Sequence, residues 1–98
     1  MGINQRLTEI VKGRVIKNAE ASPTEFAIHF MDDSTMKIRM SETIIFHIPE
    51  GVRMRKVEER NADFVIECED DTVIDIQLSE PGNSIRVRNK HNRLEYAG

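Results

Sequence analysis

The sequence predicts an all-β domain with one short N-terminal helix, built as two tandem four-stranded antiparallel units that form a β-sandwich or small β-barrel. Three observations lead there. Residues 26 to 40, "FAIHFMDDSTMKIRM", alternate apolar and polar side chains on both arms of an acidic turn. Residues 64 to 78, "FVIECEDDTVIDIQL", do the same. Further alternating segments follow each stretch. Period-two alternation marks a strand with one buried face, so each stretch reads as strand, turn, strand.

The first element is the exception. In "INQRLTEIVKG", Ile3, Leu7, Ile10 and Val11 fall on one face of a helix over about residues 3–12, and Gly13 is placed to end it. Unit one then runs over about 14–51 and unit two over about 52–98, all within a single domain of 98 residues. In unit one, Phe26, Ile28 and Phe30 face inward, as do Met36, Ile38 and Met40. Unit two offers Phe64, Ile66 and Cys68, then Ile74, Ile76 and Leu78.

Parity constrains the turns. Inward residues on both arms carry even numbers, so the connecting loop has an odd length. Three residues is the common odd loop, a type I turn followed by one residue in the left-handed region. A loop over 31–33 places that residue at Asp33, and at Asp71 in unit two. Moving it one place puts β-branched Thr72 there, which resists positive φ. Asp33 and Asp71 are therefore expected to be left-handed, a conformation Asp tolerates.

In "SETIIFHIPEGVRM", Ile44, Phe46 and Ile48 are inward, Pro49, Glu50 and Gly51 make the loop, and Val52 and Met54 return. Inward parity slips between Met54 and Val57, which predicts a β-bulge near Arg55 and Lys56. At the end of the chain, Ile85 and Val87 are expected to pair with Leu94 and Tyr96 across the polar turn "NKHN". A four-stranded unit of this length also describes a propeller blade, and two blades would need an oligomer to close a ring.

Composition narrows the functions. Apolar residues make up 39% and charged residues 32%, which suits a globular chain whose core comes from aliphatic residues, Met and four Phe. The formal net charge of −3 gives no global attraction to nucleic acid or anionic lipid. Cys68 is the sole cysteine, so no intrachain disulfide exists and a reducing, cytoplasmic setting is expected. The opening "MGINQRLTEIVKG" has no apolar run long enough for a signal peptide or a membrane span.

No catalytic, cofactor-binding or metal-binding residue is assigned. His29 and His47 are expected on outer strand faces and His91 in a turn, without the spacing of a zinc site. Cys68 falls at an inward position, where a thiol acts as a small hydrophobe. The chain has no phosphate-cradling glycine loop and no G-x-S-x-G elbow. The acidic turns Asp32-Asp33 and Asp70-Asp71 lack the glycine-centred loop of a calcium site and read as solvated rims.

What remains is binding. Val65, Val73 and Ile45 are outward apolar residues, candidates for contact with a protein partner or with a second copy in a homodimer. Lys37, Arg39, Arg53, Arg55, Arg86, Arg88 and Arg93 would form a positive stripe for nucleic acid if their strands are neighbours. Against that, every Phe is assigned inward, which leaves no stacking platform. The expectation is a non-enzymatic binding or adaptor domain acting through protein–protein contacts. The alternative is a nucleic-acid-binding accessory protein.

Overall fold

The computed structural model describes residues 3–42, 48 and 50–98, with residues 3–5 described by their backbone alone. One helix, α1 (Ile3–Val11), precedes eight strands. These are β1 (Ile16–Ala21), β2 (Glu25–Phe30), β3 (Thr35–Arg39), β4 (Met54–Arg60), β5 (Asp63–Cys68), β6 (Val73–Gln77), β7 (Ile85–Arg88) and β8 (Leu94–Ala97). The strands form two antiparallel sheets, one ordered β1-β2-β3-β7-β8 and the other β4-β5-β6. The all-β class is as the alternation requires.

The inward residues meet in one core. Phe26, Ile28, Phe30, Met36, Ile38 and Met40 from the first sheet are buried together with Phe64, Ile66, Cys68, Ile74, Ile76 and Leu78 from the second. Ile48 joins the same cluster; Ile44, Ile45, Phe46 and Pro49, and so most of the hairpin expected there, lie outside the described residues. On α1, Leu7 and Val11 are buried and Ile10 packs against the cluster from the edge.

Both meanders share a register. The pairs Ile16↔Phe30, Ala19↔Ile28 and Phe26↔Ile38 in β1–β3 correspond to Met54↔Cys68, Val57↔Ile66 and Phe64↔Ile76 in β4–β6. The expected bulge falls between Met54 and Lys56, and a matching one lies between Ile16 and Asn18. Asp33 (φ 67°) and Asp71 (φ 70°) both adopt the left-handed conformation. Each turn is tied the same way: the Ser34 amide donates to Asp32 Oδ1 at 2.9 Å, and the Thr72 amide to Asp70 Oδ1 at 3.0 Å.

Two corners stitch the sheets together. At one, Val15 bridges Arg53; at the other, Met40 bridges Leu78. The first corner is reciprocal. Gly13 N donates to Met54 O (2.9 Å) while Gly51 N donates to Ile16 O (2.7 Å). Likewise Ile16 N donates to Val52 O and Met54 N to Arg14 O, both at 2.9 Å. Gly13 (φ 84°) and Gly51 (φ 78°) reach these positions in a conformation that side chains resist. No closed barrel forms among the described strands, because each corner is a single bridge rather than a full ladder.

Two features depart from expectation. The eight strands divide five and three, not four and four, because β7 pairs with the free side of β3 and carries β8 with it. Across β7 and β8, Val87 faces Tyr96 as expected, but Leu94 faces Arg88 and Ile85 bonds to Gly98. A register shift between Val87 and Arg88 causes this, and it leaves Leu94 50% exposed. The helix α1 packs along edge strand β4, where Thr8 Oγ1 donates to Val57 O (2.9 Å) and accepts from Val57 N (3.1 Å). The helix thereby satisfies backbone groups of an edge strand that would otherwise be open to pairing.

The interior assignment has a measurable consequence. Ile28→Ala and Ile66→Ala are each expected to lower unfolding free energy by about 2–5 kcal/mol. Leu94→Ala should stay within about 0.5 kcal/mol of the parent. Urea unfolding followed by circular dichroism measures all three, and a Leu94 effect as large as the isoleucines' would contradict the observed β7–β8 register.

A cationic trough on the five-stranded sheet

The outer face of the five-stranded sheet is built by register. On adjacent strands β3 and β7, Lys37 lies directly opposite Arg86, and Thr35 lies opposite Arg88. Arg39, two residues along β3 from Lys37, is diagonal to Arg86. Antiparallel neighbours on one face are close enough to interact, and like charges directly opposite each other destabilise the sheet. Four cations are thus held together against their own repulsion.

No ion pair among the described residues holds them, although Glu25 lies directly opposite Arg39 and Asp33 borders the hollow that Lys37, Arg86 and Arg88 line. Among the described residues, none of Lys37, Arg39, Arg86, Arg88 or Lys90 stands within ion-pair distance of a carboxylate. Their orientation comes from neutral groups instead. Arg86 donates to Ile85 O (2.9 Å) and Asn83 Oδ1 (2.7 Å), and Arg88 donates to Asn92 O (3.1 Å). A guanidinium has five N–H donors, so most of them remain available to a ligand.

The cations line a trough. Its larger part, about 570 Å³, is bounded by His29, Asp33, Thr35, Lys37, Arg86, Arg88, Asn89, Lys90 and Asn92. A smaller hollow of about 210 Å³ continues past Lys37, Arg86 and Arg88 to Arg39 and Glu25. His29 Nδ1 lies 3.1 Å from Thr35 Oγ1 at one side. On the β2 side of Lys37, its cross-strand partner Ala27 is only 9% exposed.

The remaining candidates lie elsewhere. Arg53 stands 3.9 Å from Glu69, and Arg55 is bonded to Glu67 (3.1 Å) and Asp71 (2.9 Å). Both belong to the other sheet or its corner, so of the seven residues expected in the stripe, four strand-borne cations come together, Lys37, Arg39, Arg86 and Arg88. Arg93 is exposed in the β7–β8 turn, outside the trough's lining, and its amide donates to Asn89 Oδ1. Lys90, whose place in the trough follows from that turn, belongs with the site. Ile45 lies outside the described residues. Val65 is half-buried and Val73 is 58% exposed on the outer face of β5 and β6, and α1 packs against β4 and β8 instead.

Cys68 is buried; desolvation, with the Asp70 carboxylate nearby, pushes its thiol up, away from the reactive thiolate. Among the described residues no group of three His, Cys, Asp or Glu side chains could hold a metal ion. No helix among them is long and apolar enough to cross a membrane. No protein-family model matches the chain, and neither a curated protein nor a solved structure is significantly similar to it.

The Asp-Asp turns bordering the sheets carry a pH dependence. Burial opposes ionisation of Asp32, but bonds from the Ser34 hydroxyl and amide, helped by Arg14, outweigh it and hold the carboxyl below its usual range. Thr72 lowers Asp70 in the same way. A carboxyl depressed in the folded state contributes stability above its unfolded pKa and loses it as pH falls through the folded value. The urea midpoint should therefore drop as pH is lowered from about 5 towards about 2. The Asp32→Asn, Asp70→Asn double variant should show a shallower drop, and an unchanged slope would remove these turns as its source.

Proposed function

We propose that this chain is a binding domain, not an enzyme, and that the trough on its five-stranded sheet takes the phosphate backbone of a nucleic acid. The observation that carries this reading is the cluster of Lys37, Arg39, Arg86 and Arg88, assembled across β3 and β7 with none of the four in an ion pair among the described residues. Within a fold, Lys37 opposite Arg86 only costs stability. An anion seated between them turns that repulsion into attraction, and each phosphate neutralised releases condensed counterions. The chain's overall acidity does not oppose this, because local fields steer a ligand more than net charge does.

The mode of contact follows from what the face lacks. Phe26, Phe30, Phe64 and Tyr96 are buried, so the exposed aromatic platforms on which bases stack are not supplied by them. Charge contacts to phosphates position a nucleic acid without reading its sequence. Binding is therefore sequence-independent. The shared registers of β1–β3 and β4–β6 support reading these meanders as two tandem copies of one unit, with the cationic outer face formed where β7 joins the first. The buried, unpaired Cys68 supports a reducing, cytoplasmic setting.

A fluorescein-labelled oligonucleotide titrated with the protein tests the proposal. Affinity should fall steeply with salt, with a log–log slope of about −4 to −5 on duplex DNA if the four strand cations and Lys90 each meet a phosphate. The Lys37→Gln, Arg86→Gln variant should reduce that slope by about 2 without lowering the urea midpoint, since it removes a repulsive pair. Arg53→Gln should change neither. Absence of binding at low salt, or equal loss from Arg53→Gln, overturns the assignment.

A further inference from the structure

The shared register makes an exact comparison of the two outer faces possible, and they differ where it matters. The position of Lys37 in the first meander is held by Asp75 in the second; Ala27 corresponds to Val65, and Thr35 to Val73. Lys37 has no carboxylate partner and Asp75 has no cationic one among the described residues. The neighbouring acidic groups on β4 and β5 are otherwise engaged: Glu58 with Arg60 at 2.7 Å, Glu67 with Lys56 at 3.4 Å and with Arg55. Shape differs in the same places. At the equivalent positions Ala27 is 9% exposed against half-buried Val65, and half-buried Thr35 stands against Val73, which is 58% exposed and diagonal to Val65.

We infer that these faces dock on each other between copies of this chain: the Val65–Val73–Asp75 patch of one copy seats on the Ala27–Lys37–Arg86 patch of the next. Charge complementarity selects the occupant. An unpaired carboxylate beside two valines meets unpaired Lys37 and Arg86 on a face where Ala27 and Thr35 stand in place of those valines, so the charge is opposite and the side chains between are smaller. A patch of the first kind on its own would fit many partners. The matching counter-surface is carried by the same chain, on an equivalent backbone.

The geometry also sets the kind of assembly. The two patches lie on outer faces of different sheets, whose inner faces share the core, so a copy cannot use both on one neighbour. Contact is heterologous, head to tail, and leaves one open face of each kind at the ends. Assemblies grow with concentration instead of stopping at a dimer. A polyanion and a second copy would compete for the cationic patch, but self-association itself does not depend on nucleic acid binding.

Sedimentation velocity over a range of concentrations, at about 0.05 M and about 0.5 M salt, provides the test. The parent protein should sediment with a rising average mass at low salt and as a monomer at high salt. Val73→Glu and the Lys37→Glu, Arg86→Glu double variant should each be monomeric at low salt, since each loses one face. Mixed together, they should form a one-to-one dimer and nothing larger, because one intact patch of each kind remains. A monomeric parent at low salt and high concentration overturns the inference, as does a mixture that stays monomeric. Oligonucleotide binding by monomeric Val73→Glu, whose trough is intact, reports on the polyanion reading separately.

Discussion

A sheet with one apolar face must bury that face, and here each sheet does so against the other. Every other feature of the molecule is subordinate to that burial. It requires side chains of one parity to point into a common interior, and Phe30, Ile28, Phe64 and Ile66 do so with no measurable exposure. Once those faces are committed, the opposite parity is committed to the outside. Lys37 and Arg86 are neighbours on the surface because Met36, Ile38, Ile85 and Val87 are neighbours within it. The site is a by-product of the core's register.

The corners make the arrangement specific. Backbone bonds at the Val15–Arg53 corner occur in reciprocal pairs, in which each meander offers the other the same donor and the same acceptor. Such reciprocity is a property of a two-fold relation, and it extends to the second corner, where Ser41 N donates to Gln77 O and Ser79 N to Arg39 O. Edge groups that a sandwich would leave open are satisfied within the chain. Thr8 performs the same task for Val57 from the helix. The symmetry stops at the side chains outside. There the charge reverses between Lys37 of the first meander and the equivalent Asp75 of the second.

The half-buried Arg14 shows how the ends of the chain are joined. It makes a bidentate contact with Glu95 on β8 (3.1 and 2.8 Å), donates to the buried Ser34 hydroxyl (2.8 Å), and lies 6.0 Å from the Phe30 ring centre. Asp32 accepts from Ser34 and adds a longer contact to Arg14 at 3.8 Å. One guanidinium thus connects the segment after α1, the first acidic turn and the last strand. Its donors are used internally, which separates it from the trough arginines, whose donors are largely free.

By itself the sequence determined what local chemistry controls. Period-two alternation placed the inward residues, loop parity with the reluctance of Thr72 for positive φ placed the left-handed residues at Asp33 and Asp71, and the parity slip located the bulge after Met54. Only the tertiary structure decided which edges meet. Whether β7 joins β3 or β6 depends on backbone pairing across distant segments, for which side-chain pattern carries no information; that choice brought Arg86 and Arg88 beside Lys37. It likewise decided that Arg53 and Arg55 fall among carboxylates, and that the β7–β8 shift turns Leu94 to solvent. Alternation specifies a residue's face but not its neighbours, because the neighbours belong to strands that the chain reaches only after folding.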